Sequence, residues 1–245
     1  MVKELRISKE LVISTLGCAF HSPSGSVLLA DLHIGYETVL EGEGFAMPRV
    51  QNEQMLEKIN AAIDRFDPDS LIIVGDFKHN FDRNLSAEWN GVEKMVEAVS
   101  KRSRMIVIKG NHDNYLANIL SKRGIELKNE LLMGDLKIVH GHKTTAPWDG
   151  GMVFGHEHPA ITLREATGAS VKIPCFLYSP DANRLVLPAF SPLALGSDII
   201  RTPDEERMIP LLRNTGTGSY LVYGFSSDQL LNYRSISDLR RIGNL

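Results

Sequence analysis

Five short stretches of this 245-residue chain gather side chains that bind metals, and seven of the eight histidines lie in them. They are Asp31-Leu32-His33, Gly75-Asp76-Phe77-Lys78-His79, Gly110-Asn111-His112-Asp113, His140-Gly141-His142 and Gly155-His156-Glu157-His158. Imidazole, carboxylate and amide oxygen without cysteine suit Mn²⁺, Fe²⁺ or Zn²⁺ better than a purely structural zinc. Asp31, His33, Asp76, Asn111, His140, His156 and His158 are too many good ligands for one ion. Two ions sharing a bridging carboxylate would use them all. Such a pair can hold both oxygens of an in-line phosphoryl displacement while a water is activated between them. The chemistry to expect is phosphoester hydrolysis. A lone histidine is more often structural, and His21, in the turn His21-Ser22-Pro23-Ser24-Gly25, is read that way.

Each cluster follows a short apolar run: residues 27–30, 71–74, 105–108, 136–139 and 152–154. These runs are β-branched or Leu-rich, as strands covered on both faces are. Ligands of open α/β sheets gather outside the carboxyl ends of strands, so five such ends define one pocket. Val50, Met55, Ile59, Ala62, Ile63 and Phe66 recur at helical spacing until Asp67-Pro68 stops the helix. Val92, Met95, Val96 and Val99 share one face of a second helix, and a short third runs from Tyr115 to Lys122 and ends at Gly124. Beyond residue 130 strands follow one another: 131–133, 136–140, 161–165, 171–178 and 185–188. This order predicts an α/β sandwich in a single domain, residues 1–245: a mixed sheet packed on a second, largely antiparallel one, with helices outside. Pro203-Asp204-Glu205-Glu206 begins a helix, 220–225 is a strand and 237–242 a terminal helix. Residues 42–48 form a loop at the pocket mouth, where Phe45 and Met47 either wall the substrate or pack the loop down.

A hydrophobic content of 43% with 23% charged residues is ordinary for a globular protein. No apolar run approaches the roughly 18–20 residues of a membrane span, and the amino terminus lacks the layout of a signal peptide. A cytoplasmic protein is the expectation, with Cys18 and Cys175 as reduced core residues. The net charge of -3 does not make the chain a basic nucleic-acid binder. It leaves a nucleic-acid substrate open, because two divalent cations would add about +4 at the site itself.

The blocks Asp-x-His, Gly-Asp-x-x-His, Gly-Asn-His-Asp, His and Gly-His-x-His, in this order from Asp31 to His158, resemble the calcineurin-like metallophosphoesterase superfamily. Lys172-Ile173-Pro174-Cys175-Phe176 and the stretch from Leu185 to Pro192 are similar to a narrower branch. That branch is the small archaeal and bacterial metallophosphoesterases encoded beside a large helicase and, in bacteria, a DNA ligase. The resemblance implies a β-sandwich of two mixed sheets flanked by helices and two divalent metal ions, Mn first with Fe or Zn as alternatives. It implies Asp31, His33, Asp76 and His158 around one ion, and bridging Asp76 with Asn111, His140 and His156 around the other. His112 would protonate the leaving oxygen, with Asp113 orienting its ring. A phosphodiester substrate, single-stranded DNA or RNA, a helicase partner and a role in DNA repair follow from the same resemblance. The chain departs from the pattern at His79, where many relatives carry aspartate. His79, His142 and Trp148 stand open between substrate contact and a structural role. Two other functions compete. A phosphomonoesterase would need a basic clamp for its dianion, and the motif blocks offer only Lys78 and Lys143. A metal-stabilised scaffold without catalysis is the third. No residue pattern fixes an oligomeric state.

Overall fold

The structure, a computed structural model, describes residues 2–81, 86–164 and 169–243. Strands β1 (Glu4–Arg6), β2 (Leu11–Ser14), β3 (Ala19–His21) and β4 (Ser26–Leu29) open the chain. Helices then alternate with strands: α1 (Tyr36–Gly42), α2 (Gln51–Phe66), β5 (Ser70–Val74), α3 (Ser86–Ser100), β6 (Arg104–Ile108), α4 (Leu116–Leu120) and β7 (Leu127–Lys128). The second half is mostly strand: β8 (Glu130–Met133), β9 (Leu136–Val139), β10 (Gly151–Phe154), β11 (Pro159–Arg164), β12 (Ser170–Ser179), β13 (Arg184–Val186) and β14 (Ser197–Asp198). Helix α5 (Pro210–Thr215), β15 (Leu221–Phe225), β16 (Leu230–Ser235) and α6 (Ile236–Gly243) close it.

The first sheet has the order β1-β2-β3-β4-β5-β6-β7, antiparallel to β4 and parallel from there on. The second runs β14-β11-β12-β13-β10-β9-β8, with β15 and β16 added on β12. In it β9, β10 and β13 are parallel neighbours, and most other pairs are antiparallel. The predicted sandwich of two mixed sheets flanked by helices is the observed architecture.

Strand periodicity assigns the layers. In β4, Leu28 faces the other sheet, where it joins Ile72, Ile108, Ile138, Val153, Phe176 and Leu185. Its neighbours Val27 and Leu29 turn outward, with Ile73 and Val107, against Met55 and Ile59 of α2 and Val92 and Val96 of α3. Burial on both faces is the reason these strands are apolar without alternation. On the far side Phe154, Leu177 and Val186 pack against Leu212 of α5 and Ile236 of α6. Each such side chain contributes roughly 1.5–3 kcal/mol when fully buried, which fastens the strand ends that follow.

Several local expectations needed correction. Tyr36–Gly42 is helical ahead of the expected loop, and Pro203 leads only a 3₁₀ turn, Asp204–Glu206, with the helix starting at Pro210. Strands β1 and β16 were not anticipated, and Glu165, expected in a strand, lies outside the described residues. His21 bonds Ser24 Oγ at 2.8 Å and is structural. Cys18 and Cys175 are free and buried, and burial pushes the Cys18 thiol up to about 12. Among the described residues no helix is long and apolar enough to cross a membrane.

Candidate metal centre and active site

The strand ends release their polar residues through unusual backbone. Asp31, His33, Asp76, His156 and His158 all have positive φ, between 46 and 68°. A non-glycine residue there costs about 1–3 kcal/mol and persists where its surroundings over-determine it. The surroundings are visible. Asp31 N donates to Gly75 O and His33 N to Asp76 O, both at 3.0 Å, while Ser191 N donates to Asp31 O at 3.1 Å. Close approach explains the glycines. A side chain at Gly75 would strike the His140 ring, and one at Gly110 the Asp76 carboxylate.

Two groups of donors result. Asp31, His33 and His158 present ligand atoms within 4.8 Å of one another, and so do Asp76, His140 and His156. In the first, His33 Nε2 faces His158 Nε2 at 3.3 Å, and His158 Nε2 lies 3.2 Å from Asp31 Oδ1. In the second, His140 Nε2 lies 3.3 Å from Asp76 Oδ2 and 3.2 Å from Asn111 Oδ1. Asp76 Oδ2 is also 3.9 Å from His33 Nε2, so this carboxylate stands between the groups.

Electrostatics test whether cations fit here. Asp31 Oδ1 is buried and accepts no hydrogen bond. Burial pushes the His33 imidazole down to about 3 and that of His156 to about 4, leaving both in the neutral form that ligates metals. Burial also opposes charge on His140, yet its hydrogen bond to Asp76 and the charge of Asp31 raise it to about 9. His158 is raised against burial by Asp31 in the same way. Both carboxyls would be raised by burial, but His158 beside Asp31 and His140 beside Asp76 pull them below the usual range. The two buried carboxylates thus draw positive charge toward both groups, as a bound cation would supply it. The donor set fits divalent metal.

A third group, His33, His79 and His112, lies beside the first. His79 Nδ1 is 3.2 Å from His33 Nδ1, and its ring stacks on Tyr36 with centroids 3.8 Å apart. The His79 carbonyl accepts a hydrogen bond from His112 Nδ1, and His112 Nε2 points toward Asp76 Oδ2 at 3.9 Å. His142 sits 5.3 Å from His140 and 6.0 Å from His156, ring to ring.

Asp113 does not take its expected role, and Trp148, which stood open, falls on the structural side. Asp113 does not orient the His112 ring; the carbonyl of His79 does. Adjacent residues of the turn point apart, and the buried Asp113 carboxylate accepts from Phe77 N at 2.9 Å, Lys78 N at 3.3 Å and Gly110 N at 2.8 Å. Trp148 is not brought to the cluster. Strands β9 and β10 are parallel, so the chain leaving His140 must return to the opposite end of the sheet before β10 begins. There Trp148 Nε1 donates to Asp135 O at 3.1 Å.

Other residues of the site escaped sequence reasoning. Buried Glu88 of α3 accepts from His79 N at 3.0 Å and lies 3.7 Å from the buried Lys78 ammonium. Glu157, between two ligand candidates, accepts from Met208 N at 2.9 Å and Ile209 N at 3.1 Å. Its Oε1 is 3.8 Å from Arg207, a guanidinium with no exposed surface that donates to Ile199 O at 2.7 Å. The only signal was that Glu157 lies inside a histidine block; Glu88 and Arg207 do not, and nothing in the sequence pointed to their partners.

A family model described as calcineurin-like phosphoesterase matches residues 27–224, which opens on β4 and includes every strand end above. Among solved structures the chain is similar to the crystal structure of Pseudomonas putida nuclease MPE, at 20% identity and a TM-score of 0.68, covering 95% of this chain and 100% of that one. It is also similar to Yfce, a phosphoesterase from E. coli, at 13% identity and a TM-score of 0.42, covering 85% and 96%. No curated protein sequence matches. The first likeness shares the sandwich; the family match spans the residues of both donor groups, and the chain belongs to the calcineurin-like phosphoesterase family.

Proposed function

We propose that the chain, acting as one catalytic unit, is a dinuclear metal-dependent phosphodiesterase that cleaves nucleic acid. Asp31, His33, Asp76 and His158 would hold one divalent cation, and Asp76, Asn111, His140 and His156 the other. The observation that carries this reading is the Asp76 carboxylate, 3.3 Å from His140 in one group and 3.9 Å from His33 in the other. When bound, the cations supply Lewis acidity to a phosphoryl oxygen and make water a nucleophile near neutral pH.

The chain's own residues handle the proton. The His79 carbonyl can only accept, so Nδ1 of His112 carries the hydrogen between them. The proton available to a leaving oxygen therefore sits on Nε2, on the side of the ring that faces Asp76. A diester is favoured over a monoester because a terminal dianion calls for a basic clamp. Lys78 is buried against Glu88, and among the described residues no arginine bonds any of the seven donors. The solved nuclease with the same fold supports nucleic acid as the diester. Mn²⁺ and single-stranded substrates are the first to test; a helicase partner and a place in DNA repair rest on the resemblance alone.

Metal-stripped protein is assayed on a nitrophenyl diester and the matching monoester with Mn²⁺, Mg²⁺, Zn²⁺ or Ca²⁺ added back. Mn²⁺-dependent diester cleavage is expected. Preference for the monoester would make the protein a phosphatase, and no turnover with two bound metals would make it a scaffold. Asp76→Ala should lose both metal equivalents, read by titration, together with turnover. His112→Ala should keep both metals and lose about 10²–10⁴-fold in turnover, most with the poorest leaving groups.

A further inference from the structure

A cavity of about 320 Å³ opens beside the second donor group, its walls including Lys109, Glu130, His140, His142, Lys143 and Thr144. Lys109 follows β6 directly, and Lys143 lies three residues past His140. His142 lines this cavity and is in ring contact with both His140 and His156. Its Nδ1 is buried and has no hydrogen-bond partner.

Some surface lysines are matched: Lys101 with Glu97 at 2.9 Å, Lys122 with Glu93 at 2.8 Å, Lys128 with Glu126 at 2.6 Å. Lys109 and Lys143 pair with no carboxylate among the described residues. The one acid in the wall, Glu130, is engaged by Lys137 at 2.9 Å. Two ammonium groups without a carboxylate partner and the Thr144 hydroxyl therefore line one cavity beside the donors, in a chain whose net charge is -3. A groove of one sign with few competing acids concentrates an anion.

We infer that this cavity is a subsite for the phosphate next to the scissile one, so that the preferred substrate is a chain of phosphodiesters rather than an isolated diester. The inference rests on the phosphodiesterase reading. It follows from placement: a polymer held at the donors by one phosphate carries its next charge within reach of the adjoining wall, and there the unpaired lysines are. A clamp for a terminal phosphate would instead have to surround the reacting group, where Lys78 is tied to Glu88.

The test compares wild type with the double variant Lys109→Gln, Lys143→Gln. Two measurements are made. One is kcat/KM for a single-stranded oligonucleotide, DNA or RNA, relative to a dinucleotide that has no neighbouring phosphate. The other is the salt dependence of oligonucleotide binding to the full chain in EDTA, followed by fluorescence anisotropy. The double variant should lower the oligonucleotide-to-dinucleotide ratio about tenfold. It should also flatten the slope of log affinity against log salt by about 1.4, at roughly 0.7 per phosphate contact in a single strand. The arginine pair, Lys109→Arg with Lys143→Arg, should restore both. An unchanged ratio, equal losses on both substrates, or an unchanged slope overturns the subsite. Failure of wild type to cleave any diester overturns the phosphodiesterase reading alone, because the slope in EDTA needs neither metal nor catalysis.

Discussion

The two halves of the site are braced by the same kind of residue in two different ways. On the first sheet, Asp113 ties the β5 and β6 loops together with three backbone amides and no cation. On the second, Glu157 pins the His156–His158 turn to residues 208 and 209 and adds a guanidinium, Arg207, that has no exposed surface. Three neutral donors nearly satisfy a carboxylate. The second brace leaves Glu157 Oε1 and Arg207 Nε and Nη1 without hydrogen bonds, so its attraction works through distance rather than contact. A brace built on amides loses little when altered slightly. One built on a buried charge pair fails when either charge goes.

Arg207→Met should therefore be the most damaging brace substitution, at about 3–5 kcal/mol, since removing one partner strands the other charge in the interior. Chemical denaturation of the metal-free chain measures it, and a loss below about 1 kcal/mol would mean that the buried pair is no more fragile than an exposed one. The next effect crosses between the halves, where Asp76 faces His140. Burial disfavours a proton on His140, but Asp76 and Asp31 hold it to about 9 against an ordinary 6.5. A raised histidine lends stability that is complete below pH 6.5 and is lost as pH climbs through 9. That amounts to about 3 kcal/mol. Bound cations displace this proton, so Mn²⁺-loaded protein should lack the slope that EDTA-treated protein shows between those values. Persistence of the slope with metal bound would remove His140 from the ligand set.

The smallest change belongs to the first brace. Asp113→Asn turns one acceptor into a donor that meets an amide hydrogen, at a cost of about 1–3 kcal/mol. Both Arg207→Met and Asp113→Asn should weaken Mn²⁺ binding by about 10–100-fold, because each loosens a loop that aims ligands. Equal affinity losses with unequal stability losses would mean that the braces aim the ligands alike and differ only in strength. A metal affinity unchanged by either would mean that the braces serve the fold alone.

How much of this was legible in the sequence follows from where each partner lies. Asp31, Asp76, Asn111 and His140 could be read because each ends an apolar run, and both the run and the residue type are local signals. The helices at residues 51–66 and 86–100 were equally plain from their spacing. Asp113 and Glu157 offered an acidic letter in the right block, but apart from Gly110 their partners are backbone amides 35 to 52 residues away, which carry no side-chain signature. Trp148 stood open because nearness in sequence does not decide nearness in space; a parallel pair of strands sends its connection to the far end. Arg207 looked like an ordinary basic residue after an acidic turn, and only its complete enclosure distinguishes it.

The Glu157 brace also has a temporal side. A ribosome delivers all seven proposed donors by residue 158, yet the amides that pin the last loop come 51 and 52 residues after Glu157. For that interval the growing chain displays a full set of ligands on a turn that is not yet held. The hold on that loop is thus the last part of the site to be made, and a nascent chain halted near residue 195 should capture Mn²⁺ less tightly than the finished protein.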